Sequence, residues 1–181
     1  SAALACRAFG FSPETIRGGL ESLPGVPGRF EVVHASPFVV VDYAHTPDAP
    51  APTPVTARQI AGCARVHCAL GVGGERDRGK RQAMGAIVHR GADLAWLTSD
   101  NPRREDPAAI AAAILAGIPP EGGCAWSEIP DRAEAIHAAI ARAEERDVVV
   151  IAGKGHESTQ QIGTREVPFS DRDVARAALA S

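Results

Sequence analysis

Leu94-Ala95-Trp96-Leu97 leads into the polar segment Thr98-Ser99-Asp100-Asn101-Pro102-Arg103-Arg104-Glu105-Asp106-Pro107, and a helix-forming run from Ala108 to Ala116 leaves it. A strand, a loop and a helix in that order form the repeating unit of an α/β protein. The loop then lies at the strand's carboxyl end, where open α/β sheets place their ligand sites. Pro102 fixes its own φ and holds Asn101 out of the helical region. Asp106 and Pro107 read as the N-cap and first residue of the following helix. Capping accounts for those two residues but not for Asp100-Asn101-Pro102-Arg103, which sets a carboxylate, an amide and a guanidinium side by side.

The same alternation continues on both sides of this unit. Val66 to Gly71 reads as a buried strand and Lys80 to Arg90 as a helix with Met84, Ile87 and Val88 inward. After the helix at 107–116 come a short strand near Ala125 and a helix from Asp131 to Glu145, with Ile136 and Ile140 one turn apart. Val148-Val149-Val150-Ile151-Ala152 is a further strand, and Asp171 to Ala180 a closing helix. Upstream, Phe30 to His34 and Phe38 to Asp42 have the spacing of a hairpin. Repeated βα units with wholly apolar strands predict an α/β fold with a mainly parallel sheet and helices on both faces. The first 23 residues read as two short helices, the second capped by Ser12-Pro13-Glu14. With no initiator methionine and no lead-in, they are expected to be a piece of something longer. Leu23-Pro24-Gly25-Val26-Pro27-Gly28 is the linker candidate.

Composition narrows the class. The chain has 181 residues, 45% hydrophobic and 23% charged, as in a globular domain of ordinary size. A net charge of −3, with no basic stripe among aromatics, argues against nucleic acid. No apolar run reaches membrane-spanning length. Cys6, Cys63, Cys68 and Cys124 form no C-x-x-C pair, which suggests buried thiols in a reducing compartment. A cytoplasmic monomer is the expectation.

Polar loops after the strands carry the chemistry: Asp42 to Asp48, Gly71 to Arg81, the Asp100 loop, and Gly153-Lys154-Gly155-His156-Glu157. In a parallel sheet these should converge on one edge. Gly74-x-x-x-x-Gly79-Lys80 imitates a phosphate-binding loop, but Arg81 stands where Ser or Thr must hold magnesium. Arg76 and Arg103 offer forks for a carboxylate, while Asp100, Asn101 and Glu157 can accept from an ammonium group. A zwitterion such as an amino acid fits that set better than a phosphate. The bland alternatives are a plain glycine turn at 153–157 and a locally bonded His45 in a turn closed by Pro47.

Asp42-Tyr43-Ala44-His45-Thr46-Pro47-Asp48, Gly73-Gly74-x-Arg76-Asp77-x-Gly79-Lys80-Arg81, Asp100-Asn101-Pro102-Arg103 and Gly153-Lys154-Gly155-His156-Glu157 together resemble the Mur ligase family, in order and spacing over essentially the whole chain. The resemblance implies that residues 1–27 end a central ATPase domain and that 28–181 form a Rossmann-like C-terminal domain. It implies an ATP- and Mg2+-dependent ligase of peptidoglycan precursor synthesis, in which ATP phosphorylates the glutamate γ-carboxyl of a UDP-MurNAc-dipeptide. The amine of meso-diaminopimelate then attacks the acyl phosphate. A diaminopimelate pocket is implied at Arg76, Asn101, Arg103, Gly153 and Glu157, with Asp100 beside them, and nucleotide contacts at Arg29, Asp42 and His45. The family's phosphate loop, magnesium ligands and carbamylated lysine have no counterpart in this chain, so it should be half of an active site. A second departure is Pro50, Pro52 and Pro54, which delay the helix after Asp48 to near Pro54 or Val55. A relative adding L-lysine or glutamate, or a non-catalytic Rossmann-like nucleotide-binding module, are the other readings.

Overall fold

The computed structural model describes residues 2–23, 25–44, 53–62 and 64–181. Two helices, α1 (Ala2–Ala8) and α2 (Pro13–Glu21), precede the sheet and bury none of their own residues. Leu4, Phe9 and Leu23 are 71%, 84% and 65% exposed, so this end presents an apolar surface. Ser12 caps α2 by accepting the Thr15 N–H, with Pro13 in the first turn.

Next come β1 (Glu31–Ala35), β2 (Phe38–Asp42), α3 (Thr53–Ala61), β3 (Val66–Val72), α4 (Lys80–Gly91) and β4 (Leu94–Ser99). They are followed by α5 (Pro107–Leu115), β5 (Ala125–Glu128), α6 (Arg132–Arg142), β6 (Val148–Ala152), β7 (Thr159–Ile162), β8 (Arg165–Pro168) and α7 (Asp171–Leu179). Six strands make one sheet in the order β1-β2-β6-β3-β4-β5, and only the β1–β2 pair is antiparallel. The last crossover therefore carries β6 back between β2 and β3. This gathers the carboxyl ends of β2, β6, β3 and β4 along one edge.

The period of two along each strand sorts the core into two layers. Val40, Cys68, Leu70, Val72, Leu97, Val148 and Val150 pack under α3, α4 and α5, with Ala57, Met84, Val88, Ile110 and Ile114. Val39, Val41, Ala69, Trp96, Val149 and Ile151 face α6 and α7, with Ala135, Ile136, Ala139, Ile140 and Ala175. Both faces are covered, as the apolar strands require. Met84 and Val88 are buried and Ile87 half-buried.

Three local outcomes differ from the reading of the sequence. α6 stops at Arg142 rather than Glu145, because the Asp147 carboxylate takes the Glu144 N–H at 2.9 Å and draws the chain out of the helix. α3 begins at Thr53, a residue early; Pro54 then sits in the first turn, where no intrahelical donor is lost. Pro50 and Pro52 lie outside the described residues. The β7–β8 hairpin was not foreseen, since Thr159-Gln160-Gln161-Ile162 has no apolar alternation to mark it.

Candidate functional site

The site begins where β3 and β4 end. A methyl group on Gly71 would stand 2.7 Å from Arg132 Nη1 and 2.9 Å from Asp100 Cβ, and one on Gly74 would overlap the Pro102 carbonyl oxygen. The glycines thus let two loops touch, and the Gly74 N–H donates to the Asn101 carbonyl at 2.9 Å. Arg81, which spoils the phosphate-loop pattern, is 2% exposed and forms a two-pronged pair with Glu105, both bonds at 2.8 Å. Glu105 also accepts the Glu75 N–H at 3.0 Å. The Arg81 guanidinium first, then that backbone N–H, hold the Glu105 carboxyl down to about 2. The run 74–81 is therefore a clamp on the Asp100 loop.

The β7–β8 hairpin closes over the same loop. Arg103 has φ +54 and is tied to it at both ends, its N–H donating to the Gln161 carbonyl at 3.1 Å and its carbonyl accepting from the Gly163 N–H at 2.6 Å. Gln160 Nε2 donates to the Asp100 carbonyl at 2.7 Å, and the Gln161 N–H to Asn101 Oδ1 at 2.9 Å. The Arg103 guanidinium is half-buried, and its Nη1 donates to the Gly74 carbonyl at 2.6 Å.

Asp100, Asn101 and Glu157 come together around an ammonium group, that of Lys154. Its side chain is fully buried, with Nζ 2.9 Å from Asn101 Oδ1, 3.1 Å from Glu157 Oε2 and 3.5 Å from Asp100 Oδ1. Asn101 Nδ2 completes the cluster by donating to Glu157 Oε2 at 2.7 Å. Burial pushes the Asp100 carboxyl up, against the opposing charges of Arg132 and Lys154. Burial pushes Glu157 the same way, but the hydrogen bonds from Asn101 and Lys154 outweigh it and leave this carboxyl below its ordinary value. Asp100 Oδ1 has no hydrogen bond among the described residues; the Lys154 contact is an ion pair at longer range. Lys154 belongs to a loop that the sequence marks as chemical, but it is not among the residues expected to line the pocket. Its signal was a lone lysine between two glycines directly after the most apolar strand.

Arg76 is exposed and makes no ion pair among the described residues. It and Lys80 feel each other's charge, and Lys80 also feels Asp77 and Asp100. Gly153 adopts φ +128, and its N–H donates to the Asp42 carbonyl at 3.0 Å. Asp42 in turn accepts the Phe30 N–H at 3.2 Å through its carboxylate. Arg29 lies over the Tyr43 ring at 5.0 Å, and that ring is 5.1 Å from His156. His45 lies outside the described residues. The segment 153–157 therefore touches both groups: Asp42 and Tyr43 through Gly153 and His156, Asn101 through Lys154 and Glu157.

A cavity of about 230 Å3 on the α5 side is lined by Val72, Leu97, Pro102, Ile110, Ile114 and Pro130 among others, Asp100 included. Neither Arg103 nor Lys154 nor Glu157 lines it, so we take the charged cluster, not this hydrocarbon hollow, as the candidate site. No helix is long and apolar enough to cross a membrane among the described residues.

The sequence profile described as Mur ligase, glutamate ligase domain, matches residues 28–155. The chain is 50% identical over 181 residues to UDP-N-acetylmuramoyl-L-alanyl-D-glutamate–2,6-diaminopimelate ligase of Geobacillus kaustophilus, covering 99% of this chain and 37% of that protein. It is 46% identical over 184 residues to the protein of the same name from Streptomyces coelicolor, covering 99% of this chain and 36% of that one. A solved structure of a ligase of that name superposes with a TM-score of 0.77 at 39% identity, over 99% of this chain and 37% of the other. The bifunctional folylpolyglutamate synthase/dihydrofolate synthase of Yersinia pestis shares the fold at a TM-score of 0.55 and 22% identity, over 94% of this chain and 34% of that one. The chain thus spans little more than a third of the length of these relatives.

Proposed function

The chain belongs to the Mur ligase family, and from that premise we propose that it is the C-terminal, amino-acid-binding part of an ATP-dependent ligase joining meso-diaminopimelate to UDP-N-acetylmuramoyl-L-alanyl-D-glutamate. Residues 28–181 are the domain. Residues 1–27, with their exposed Leu4, Phe9 and Leu23, are the end of the central ATPase domain and the linker that follows it.

The observation that carries this reading is one cluster at the ends of β3, β4 and β6. It holds the Arg103 guanidinium together with Asp100, Asn101 and Glu157. Arg103 and the exposed Arg76 supply donors for the distal carboxylate of diaminopimelate. Glu157 and Asp100 supply negative charge for an ammonium group, and Asn101 and Gly153 bound the pocket. Arg29, Asp42 and His45 reach ribose and phosphate of ATP. ATP, when bound, would supply the phosphoryl group that makes the glutamate γ-carboxyl of the UDP-MurNAc-dipeptide an acyl phosphate, with ADP as the leaving group. The residues of this chain hold the amino acid so that its free amine meets that carbonyl carbon, where the amide C–N bond forms as the C–O bond to phosphate breaks and inorganic phosphate leaves. Among the described residues, no three His, Cys, Asp or Glu side chains gather as a metal ion would need.

The test is the specificity constant of the full-length enzyme for meso-diaminopimelate and for L-lysine at one pH and salt. Lysine lacks the distal carboxylate and would leave the arginines unmatched. A charge-assisted hydrogen bond contributes about 1.5–3 kcal/mol, so a preference of at least about tenfold is expected. Equal use of lysine would overturn the pocket.

A further inference from the structure

We propose that Lys154 is the positioning residue of the amino-acid site: its buried ammonium sits among Asp100, Asn101 and Glu157, fixes the direction of the last two, and offsets part of the negative charge they present to a ligand's ammonium group. The role of the pocket rests on the function proposed above; the geometry of Lys154 does not. A fully buried lysine is rare, because an ammonium group out of water must find partners for all of its donors. Here the positive φ of Gly153 and Gly155, +128 and +56, turns the side chain between them inward beneath the Asp100 loop. Its three neighbours are Asn101 Oδ1 at 2.9 Å, Glu157 Oε2 at 3.1 Å and Asp100 Oδ1 at 3.5 Å.

Two consequences follow. Asn101 Oδ1 is held by Lys154 and by the Gln161 N–H, so Nδ2 must point at Glu157 Oε2, which it does at 2.7 Å. Without Lys154 the amide loses the charged partner that sets its orientation. The second consequence is electrostatic. Asp100 and Glu157 carry two negative charges in one partly enclosed cluster, and Lys154 cancels one. The charged groups facing Asp100 are Arg132, Lys154, Glu157 and Asp171, with Lys80 beyond them. Arg132 and Asp171 are paired with each other at 2.8 Å, and Arg103 also faces Glu157, so among the described residues Lys154 is the buried cation in ion-pair contact with both Asp100 and Glu157. Lys154 holds both carboxyls down, so its removal raises them.

The experiment uses the full-length enzyme with Lys154→Met and Lys154→Met/Asp100→Asn, the second restoring the wild-type net charge of the cluster. Kinetics with meso-diaminopimelate and ATP are followed against pH. For Lys154→Met, KM for diaminopimelate should rise about tenfold or more, as for loss of a charged hydrogen bond, with KM for ATP unchanged. The acid limb of kcat/KM for diaminopimelate should move up by about one pH unit, as when an opposite charge is taken from beside a carboxylate. The double variant should bring that limb back down, which a merely structural loss would not do. An unchanged KM and limb, or equal losses for both substrates, would overturn the proposal. If Lys154→Met does not fold, the double variant should, since it lacks the unbalanced carboxylate; failure of both to fold also overturns it. A wild type inactive with diaminopimelate overturns the function proposed above and leaves Lys154 to a substrate-free reading. That reading is the 13C titration of the Asp100 carboxyl, identified by its loss in Asp100→Asn, which must move to higher pH in Lys154→Met.

Discussion

Arg132 and Asp171 meet with both side chains fully buried, Nε to Oδ1 and Nη2 to Oδ2 each at 2.8 Å. The same guanidinium donates from Nη2 to the Ala152 carbonyl at 3.2 Å and from Nη1 to the Ser99 carbonyl at 3.5 Å. One side chain therefore ties α6 to α7 and to the ends of β6 and β4, directly beneath the Asp100 loop. Burial would lower the guanidinium pKa, but the Asp171 charge and hydrogen bonds outweigh it, and the pKa is raised.

Arg132→Met should destabilise the domain by about 3–5 kcal/mol, because it strands Asp171 as a buried, uncompensated charge. Arg132→Met/Asp171→Leu should recover most of that loss. The shift of the urea unfolding midpoint measures both. A double variant worse than the single one would contradict the account.

Gly74→Ala should be far more harmful than Gly73→Ala. At Gly74 the new methyl meets the backbone carbonyl of Pro102, which cannot step aside; at Gly73 it meets Arg103 Nη1 at 3.2 Å, the far end of a flexible side chain. Overpacking of this kind costs about 1–3 kcal/mol, expected at Gly74 as lower stability and a raised KM for the amino acid. Thermal unfolding of the two variants side by side checks the order.

The two arginines should separate in kinetics. Arg103→Ala removes a donor and also the bond to the Gly74 carbonyl, whereas Arg76 is exposed and its loss removes only a donor. Both substitutions should narrow the preference for diaminopimelate over lysine. Only Arg103→Ala should also lower stability. Arg103→Lys should recover part of the preference, since an ammonium group lacks the planar fork. Specificity constants and melting temperatures for the three variants test this together.

The opposite end of the strands also contributes to acid stability. Asp147 is 4% exposed and accepts from the backbone N–H groups of Glu144 and Arg65, from the Arg65 side chain, and from the His67 ring at 3.0 Å. Burial alone would raise its carboxyl; these bonds, led by the backbone N–H of Glu144, overcome it and lower it from 3.8 to about 2. A carboxyl depressed in the folded state stabilises above its unfolded pKa and loses that contribution as pH falls through its folded one. The window therefore runs from about 4 down to about 2. The stability advantage of wild type over Asp147→Asn should be full near pH 5 and shrink across that window. An advantage independent of pH would show that the charge is not what matters.

Local signals and unbroken periodicity were enough to read most of the architecture from the sequence. Val148–Ala152 could be nothing but a buried strand, and Asp106-Pro107 nothing but a helix start, because apolar runs and caps act within a few residues. The βα alternation then required a parallel sheet with two covered faces. Asp100, Asn101, Arg103 and Glu157 were also legible as a group, since loops after parallel strands must share an edge. Other features depended on partners far along the chain. The β7–β8 hairpin is polar, and its place is set by the backbone of Arg103, some sixty residues earlier. The end of α6 was decided by where the Asp147 carboxylate finds N–H groups, and Arg81 gained its meaning only with Glu105 opposite. Lys154 is the sharpest case. Sequence supplied a lysine between two glycines with no role of its own, and tertiary structure removed it from water, which obliged its ammonium group to take Asp100, Asn101 and Glu157 as partners. Short-range pattern fixes where strands and helices form; which charges must neutralise one another is fixed only when the fold excludes the solvent between them.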